Sequence, residues 1–384
     1  MPVYLDCAAT TPVDPRVRDE VVRVLDEEYG NAGSRSHELG RRARATVERA
    51  RASVAAVVSA SRGDVIFTSG ATESNNLAIL GLAVDGEASR RRHIVSTRIE
   101  HHAVLEPLEA LQRRGFEVEL VAPEADGIVS AEAIAQAVRP DTLLVSVMHV
   151  NNETGMVQPV DAIADALEGR DAFLHVDAAQ GFGRAPLAPL RHPRIDLLSM
   201  SGHKLHAPQG IGALVARKRA GVRPPLAPLT FGGGQERGLR PGTQPVHLIA
   251  GLGLAAILAL DEHDERTERC LAFRRELLDG LAPLEPAVNG DPRHAVPHIV
   301  SLAFRGLDAE QVIEAWRDEV AISQGAACTS QSYTCSHVLS AMRLPDWQQD
   351  GAVRLSWCHA TPLPDVSVMR EALRSVLGPV EHRL

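Results

Sequence analysis

Phe173-Leu174-His175-Val176-Asp177-Ala178-Ala179-Gln180 is an apolar run that stops abruptly at an acid. It reads as a strand whose last residue is a carboxylate. Twenty-four residues beyond Gln180, Lys204 stands in Ser201-Gly202-His203-Lys204. A carboxylate at a strand end and a lysine in a small-polar loop are the pair that a pyridine aldehyde requires. The amine forms an imine, and the acid keeps the ring nitrogen protonated so that the ring accepts electrons.

Outward from this stretch, short apolar runs alternate with helical periods. Strands are expected at 65–68, 93–96, 116–121, 143–148, 173–176, 195–199 and 211–215. Helices are expected at 73–82, 102–114, 131–138 and 160–167. Such alternation predicts an α/β fold with a mostly parallel sheet covered on both faces. Ligands of such sheets bind beyond the carboxyl ends of the strands, where Thr68, His149, Asp177 and Lys204 all fall. Asp14 and Pro15 suit the start of a helix that Gly30 ends, and a long helix is expected from Val246. The expected division is a large domain over 15–261 and a smaller one made of 1–14 and 262–384.

The chain has 384 residues, 45% of them hydrophobic and 23% charged, with net charge −9. That balance argues against a general nucleic-acid binder. Arg41-Arg42-Ala43-Arg44 is expected to be a solvated helix face. Five cysteines, an odd number without a C-x-x-C, point to free thiols in a reducing, cytoplasmic setting. The longest apolar run, 249–260, is too short to span a bilayer, so no membrane partner is expected.

Several stretches carry chemistry. Gly70-Ala71-Thr72-Glu73-Ser74-Asn75-Asn76 opens a helix after a strand, where unpaired N–H groups can hold a phosphate or merely be capped. Glu100-His101-His102 lacks the helical spacing of a metal pair, and a flat imidazole stacked on a ring fits it better. His149-Val150-Asn151-Asn152-Glu153 is a polar cluster at a strand end, either an amide ligand site or a plain turn. Cys328 lies among small residues, a setting in which a thiol can react. Cys335, Cys358, His337 and His359 match no zinc-ligand spacing, and no metal is expected. Arg354, on a short apolar strand, suits a substrate carboxylate.

Taken in order, these segments resemble the cysteine desulfurases of the NifS/IscS type, which are fold-type-I pyridoxal-phosphate enzymes. The likeness also covers Tyr4-Leu5-Asp6-Cys7-Ala8-Ala9-Thr10-Thr11-Pro12 and Arg237-Gly238-Leu239-Arg240-Pro241-Gly242-Thr243. The resemblance implies a seven-stranded, mostly parallel large-domain sheet and a smaller α/β domain that carries the catalytic cysteine. It implies pyridoxal 5′-phosphate held by Lys204, with Asp177 at the ring nitrogen and Gln180 at the ring oxygen. His101 would stack on the ring and handle protons. Thr72, Ser201 and His203 would bind the phosphate, joined by Thr243 from the other subunit of a homodimer, and Ala71 would also contact the cofactor. Asn152 would contact the cofactor and, with Arg354, hold the carboxylate of L-cysteine. Cys328 would take the sulfur as a persulfide and pass it to an acceptor protein. That acceptor would serve iron–sulfur assembly, tRNA thiolation or DNA phosphorothioation. A selenocysteine lyase or another β-lyase on the same cofactor is the alternative. The loop through Ser340 looks like that of group I members. The chain's end at Leu384, sooner than in housekeeping members, fits a desulfurase of the DndA type. Departures from the pattern fall at Cys7, Ala32-Gly33, Cys335 and Trp357-Cys358-His359, and they bear on the acceptor surface rather than the cofactor site.

Overall fold

The computed structural model describes residues 1–324 and 336–377. The chain opens with β1 (Val3–Tyr4), α1 (Pro15–Glu27) and α2 (Glu38–Val57). The alternating region follows as β2 (Val65–Thr68), α3 (Ala71–Ser89), β3 (His93–Thr97), α4 (His102–Arg113), β4 (Glu117–Val121), α5 (Ala131–Ala137), β5 (Thr142–Met148), α6 (Val160–Ala166), β6 (Phe173–Asp177), β7 (Leu197–Ser201) and β8 (Gly212–Ala216). After α7 (Val246–Asp261) and α8 (His263–Leu281) come β9 (Ala287–Val288), β10 (Ile299–Ala303), α9 (Ala309–Trp316) and β11 (Val320–Ala321). The last elements are α10 (His337–Ala341), α11 (Asp346–Asp350), β12 (Val353–Ser356) and α12 (Val366–Leu377).

One sheet of seven strands runs in the order β2-β8-β7-β6-β5-β3-β4. Pairing is parallel from β7 through to β4, and β8 is antiparallel to both its neighbours. The strands β5, β7 and β8 are buried throughout because both faces are covered. Successive residues serve opposite cores. Ile94, Leu144, Leu197 and Leu214 pack with α3 and α4, whereas Val95, Val145, Leu198 and Val215 pack with α2, α6 and α7. At the outer edge, β4 exposes Glu117 and Glu119, charges that discourage pairing with another sheet.

The sequence pattern misplaces some boundaries. The strand expected at 195–199 is Leu197–Ser201, because Asp196 anchors the turn before it through Leu174 N–H and Arg194. Helix α1 ends at Glu27 rather than at Gly30; Glu28 is its C-cap and bonds Thr46 and Arg23. The twenty-residue α2 has Arg41 and Arg42 on its exposed side and Ala43 and Val47 buried. Its Ala50 meets α7 so closely that a Cβ on Gly253 would lie 2.6 Å from the Ala50 Cα. The apolar run 249–260 is thus a core helix, apolar nearly all round because it is covered nearly all round. No single helix among the described residues is long and apolar enough to cross a membrane.

A second core gathers Leu5 with residues of α8, β10, α9, β12 and α12 around Trp316 and Trp357. Both indoles are fully buried and satisfied: Trp316 Nε1–H donates to Met369 O at 2.8 Å, and Trp357 Nε1–H to Cys270 O at 3.1 Å. Here β12, β10 and β9 form a three-stranded antiparallel sheet, and β1 pairs with β11. The amino-terminal segment therefore crosses from this second core to the mouth of the large sheet.

Candidate active site

The parallel register places Met148 beside Asp177 and Asp177 beside Ser199, so β5 and β6 end together while β7 continues to Ser201. Over these ends lies a cavity of about 660 Å³. Ala71, Thr72, His101, Asn152, Asp177, Gln180, Ser201, His203 and Lys204 all line it. The acid and the lysine that the sequence pairs thus face one space.

Asp177 is 5% exposed and is held from two sides. Asn75, on the inner face of α3, donates from Nδ2 to Oδ2 at 2.7 Å, and the Ala179 N–H donates to Oδ1 at 2.9 Å. Below it, the His175 ring bridges the hydroxyls of Ser146 and Ser199, each at 2.9 Å, and burial pushes this imidazole down to about 4. Lys204 follows β7 in a tight turn, and its Nζ donates to the Ala8 carbonyl at 2.7 Å. Gln180 Nε2 donates to the same carbonyl at 2.8 Å.

His101 is the N-cap of α4, and the Ala103 N–H donates to its Nδ1 at 3.0 Å. The neutral ring therefore carries its proton on Nε2. Burial lowers its pKa, Asp177 raises it and Lys204 lowers it. His203 Nδ1 lies 3.2 Å from Thr10 Oγ1, and burial with the nearby Lys204 charge pushes it down to about 4. Glu100 is fully buried, bonded by Thr97 Oγ1 at 2.6 Å and the Met148 N–H at 2.9 Å; burial pushes it up to about 8.

Three features fit a phosphorylated pyridine. Helix α3 begins behind Gly70 with no side-chain cap, which leaves its N–H groups to an anion. Gly212 permits that turn: a Cβ there would lie 2.6 Å from the Gly70 Cα. Gln180 Oε1 is buried without a partner on the cavity's wall, an acceptor that a ring hydroxyl would satisfy.

Other expected residues stand apart. Arg354 does not line the cavity; it donates to Asp6 Oδ1 at 2.7 Å, Ser323 Oγ at 2.9 Å and the Asn152 carbonyl at 3.0 Å. Its carboxylate partner here is Asp6, and it stands behind Asn152. Thr243 is exposed and away from this chain's cavity. In the 149–153 cluster, Asn151 makes the plain turn, its Oδ1 accepting from the N–H groups of Glu153 and Thr154, while Val150 and Asn152 line the cavity. His149 is sealed under Gly181 and lines nothing. Cys328 and Cys335 lie outside the described residues. Asn75 and the Ala8 carbonyl escape sequence reasoning; the only signal for Asn75 is its place in the stretch from Gly70 to Asn76.

The family pattern described as Aminotransferase class-V matches residues 3–369. The chain is 41% identical over 381 residues to "Cysteine desulfurase IscS" of Escherichia coli (strain K12 / DH10B), covering 98% of this chain and 93% of that one. Among solved structures, DndA from Streptomyces lividans is 51% identical, with TM-score 0.81 over 92% of this chain and 99% of that one. A NifS-like protein is 35% identical, with TM-score 0.88 over 98% and 99%. SspA, solved in complex with cysteine, is 34% identical, with TM-score 0.82 over 94% and 100%.

Proposed function

This chain belongs to the aminotransferase class-V family, and from that premise we propose that it is a cysteine desulfurase. It takes sulfur from L-cysteine, releases L-alanine and carries the sulfur on Cys328. The observation that carries the reading is the single cavity lined by Asp177, Lys204, His101, Gln180 and the uncapped start of α3. Family and cavity together call for pyridoxal 5′-phosphate as cofactor.

Bound pyridoxal 5′-phosphate supplies a ring that draws electrons from the α-carbon of an amino acid. Asp177, fixed by Asn75 and Ala179, offers its carboxylate to the ring nitrogen. Thr72, Ser201, His203 and the α3 N–H groups hold the phosphate. Lys204 would hold the cofactor, and its amine is the base placed to take the substrate's α-proton. Asn152 orients the substrate carboxylate, and Arg354 braces Asn152 from behind. Cys328, as a thiolate, attacks the substrate sulfur: the S–S bond forms as the Cβ–S bond breaks. The electron pair released to Cβ takes up a proton, and alanine leaves.

Thr243, exposed and not lining its own cavity, serves the neighbouring site of a homodimer in this reading. The higher identity to DndA than to IscS supports an acceptor protein in DNA phosphorothioation over an iron–sulfur scaffold. The setting is cytoplasmic, and neither a membrane nor nucleic acid is a direct partner.

The test is turnover of L-cysteine by the purified holoenzyme. With a thiol reductant present to release the persulfide sulfur, alanine and sulfide are expected in equal amounts, and Lys204→Ala abolishes both. Cys328→Ser is expected to keep the cofactor's visible absorbance and lose persulfide delivery to an acceptor. Undiminished delivery by that variant would overturn the role of Cys328. Faster turnover of selenocysteine than of cysteine would favour the lyase.

A further inference from the structure

Away from the cavity, soft donors from two separate stretches converge. One donor atom each from His206, Cys358 and His359 lies within 4.8 Å of the others. His206 follows the Lys204 turn, and Cys358 with His359 follows β12. Cys7, another buried free thiol, joins the end of β12 through its N–H, which donates to the Ser356 carbonyl at 3.1 Å. Such spacing is invisible to any zinc-motif search. His337, which shares a histidine-cysteine-rich stretch with them, is elsewhere, 3.0 Å from the Glu100 carbonyl.

Independent features mark a ligand site. His206 Nδ1 lies 3.0 Å from the Pro12 carbonyl, which can only accept, so the proton sits on Nδ1 and Nε2 presents a lone pair. That outer bond is how metal-ligating histidines are oriented. His206 also holds φ at 64°, a left-handed conformation that a non-glycine residue keeps only when its surroundings enforce it. Its N–H donates to Thr11 Oγ1 at 3.0 Å, and its carbonyl accepts from the Asp14 N–H at 3.0 Å. The adjoining cavity is about 30 Å³, room for one ion or water and too small for an organic ligand.

The charges suit a bound thiolate. Arg184 borders this cavity, and its Nη1 is buried without a hydrogen-bond partner. A Cys358 thiolate offsets part of a cation's charge and leaves sulfur lone pairs for the guanidinium.

We propose that His206, Cys358 and His359 bind one thiophilic cation, Zn²⁺ first, with one sulfur and two nitrogen donors and the fourth tetrahedral position left to solvent. Binding releases the Cys358 thiol proton to solvent and changes no oxidation state. The ion ties the loop behind Lys204 to the strand end after Arg354. Through the bonds that His206 makes with Thr11 and Pro12, it braces the segment that carries Ala8, whose carbonyl receives Lys204 and Gln180.

The test is metal analysis of the holoenzyme purified under thiol reductant without chelator, followed by Co²⁺ titration of metal-depleted protein. One zinc per chain is expected, with the sulfur-to-cobalt charge-transfer band and the intense d–d bands of tetrahedral cobalt. Both are lost in Cys358→Ser and in His206→Gln, while the cofactor's visible absorbance stays. Cys328 remains in both variants, so a charge-transfer band that survives Cys358→Ser overturns the assignment. So does a wild-type protein with neither stoichiometric metal nor cobalt bands, or one with a Cys7–Cys358 disulfide. Should Cys358→Ser fail to fold, His206→Gln and His359→Gln decide by the same bands.

Discussion

The Asn75 side-chain amide donates to Asp177 Oδ2 at 2.7 Å, across the gap between helix α3 and the end of β6. Asn75 is fully buried, so this bond aims the carboxylate at the cavity rather than merely solvating it. A hydrogen bond to a charged group is worth about 1.5–3 kcal/mol. Asn75→Ala is therefore expected to weaken cofactor binding roughly 10- to 100-fold by that energy. Titration of the apoenzyme with pyridoxal 5′-phosphate, followed by visible absorbance, measures it. An unchanged affinity and an unchanged pH dependence of the visible band would remove Asn75 from any positioning role.

Removing the charge of Asp177 itself should cost more. Asp177→Asn keeps the shape but not the anion that the proposed reading sets at the ring nitrogen. Turnover is expected to fall by at least about 100-fold, as when preorganised electrostatic stabilisation of a transition state is lost. Steady-state alanine formation at saturating cofactor checks this.

Acid should unfold the apoprotein through buried imidazoles. His149, His175 and His203 are each pushed down to about 4, chiefly by burial. The unfolded chain binds protons at these positions from about 6.5 downward, and the folded chain does not. Their stabilising contribution is complete above that value and is lost as pH falls towards 4. Urea midpoints across this window should drop steeply, and a flat profile would contradict the buried neutral state.

Glu100 acts with the opposite sign. Burial pushes it up to about 8, so the folded protein keeps a proton that the unfolded chain has lost. Its contribution is present below the ordinary glutamate range and fades as pH rises to about 8. Glu100→Gln keeps a neutral group there, and its stability relative to wild type should improve as the solution becomes more alkaline over that interval. Denaturation of both proteins at matched pH values gives the comparison.

The buried bond from Ser336 Oγ to Glu153 Oε2, 2.6 Å long, ties the start of α10 to the turn that carries Asn152. Ser336→Ala leaves a buried acceptor without its donor, and about 1–3 kcal/mol of stability should go with it. Chemical denaturation of the metal-replete, cofactor-loaded protein reads the loss directly.

Much of the fold was legible because β5, β7 and β8 are buried on both faces and read as largely apolar runs. The pairing of Asp177 with Lys204 was legible for a related reason: polar groups at the ends of such strands have few tasks besides chemistry. Asn75 was hidden because an inward amide on a helix looks like any other polar residue until the opposite carboxylate is placed. Arg354 was read as an arginine in want of a carboxylate, which it is, but Asp6 comes from 348 residues away and no local pattern announces it. The meeting of His206 with Cys358 was equally unreadable, since only the packing of the loop behind Lys204 against the end of β12 creates it. Helix α2 was read only at its arginine-rich exposed side, because its buried side is mostly small residues whose role depends on α7.

One backbone oxygen, that of Ala8, receives both Lys204 and Gln180 at the cavity's wall. The extreme amino end is therefore working machinery, although it contributes only a two-residue strand to the architecture. Proteolytic trimming or a bulky fusion at Met1 would leave the large sheet standing and still disarm the enzyme, a form of damage that circular dichroism would miss and a turnover assay would catch.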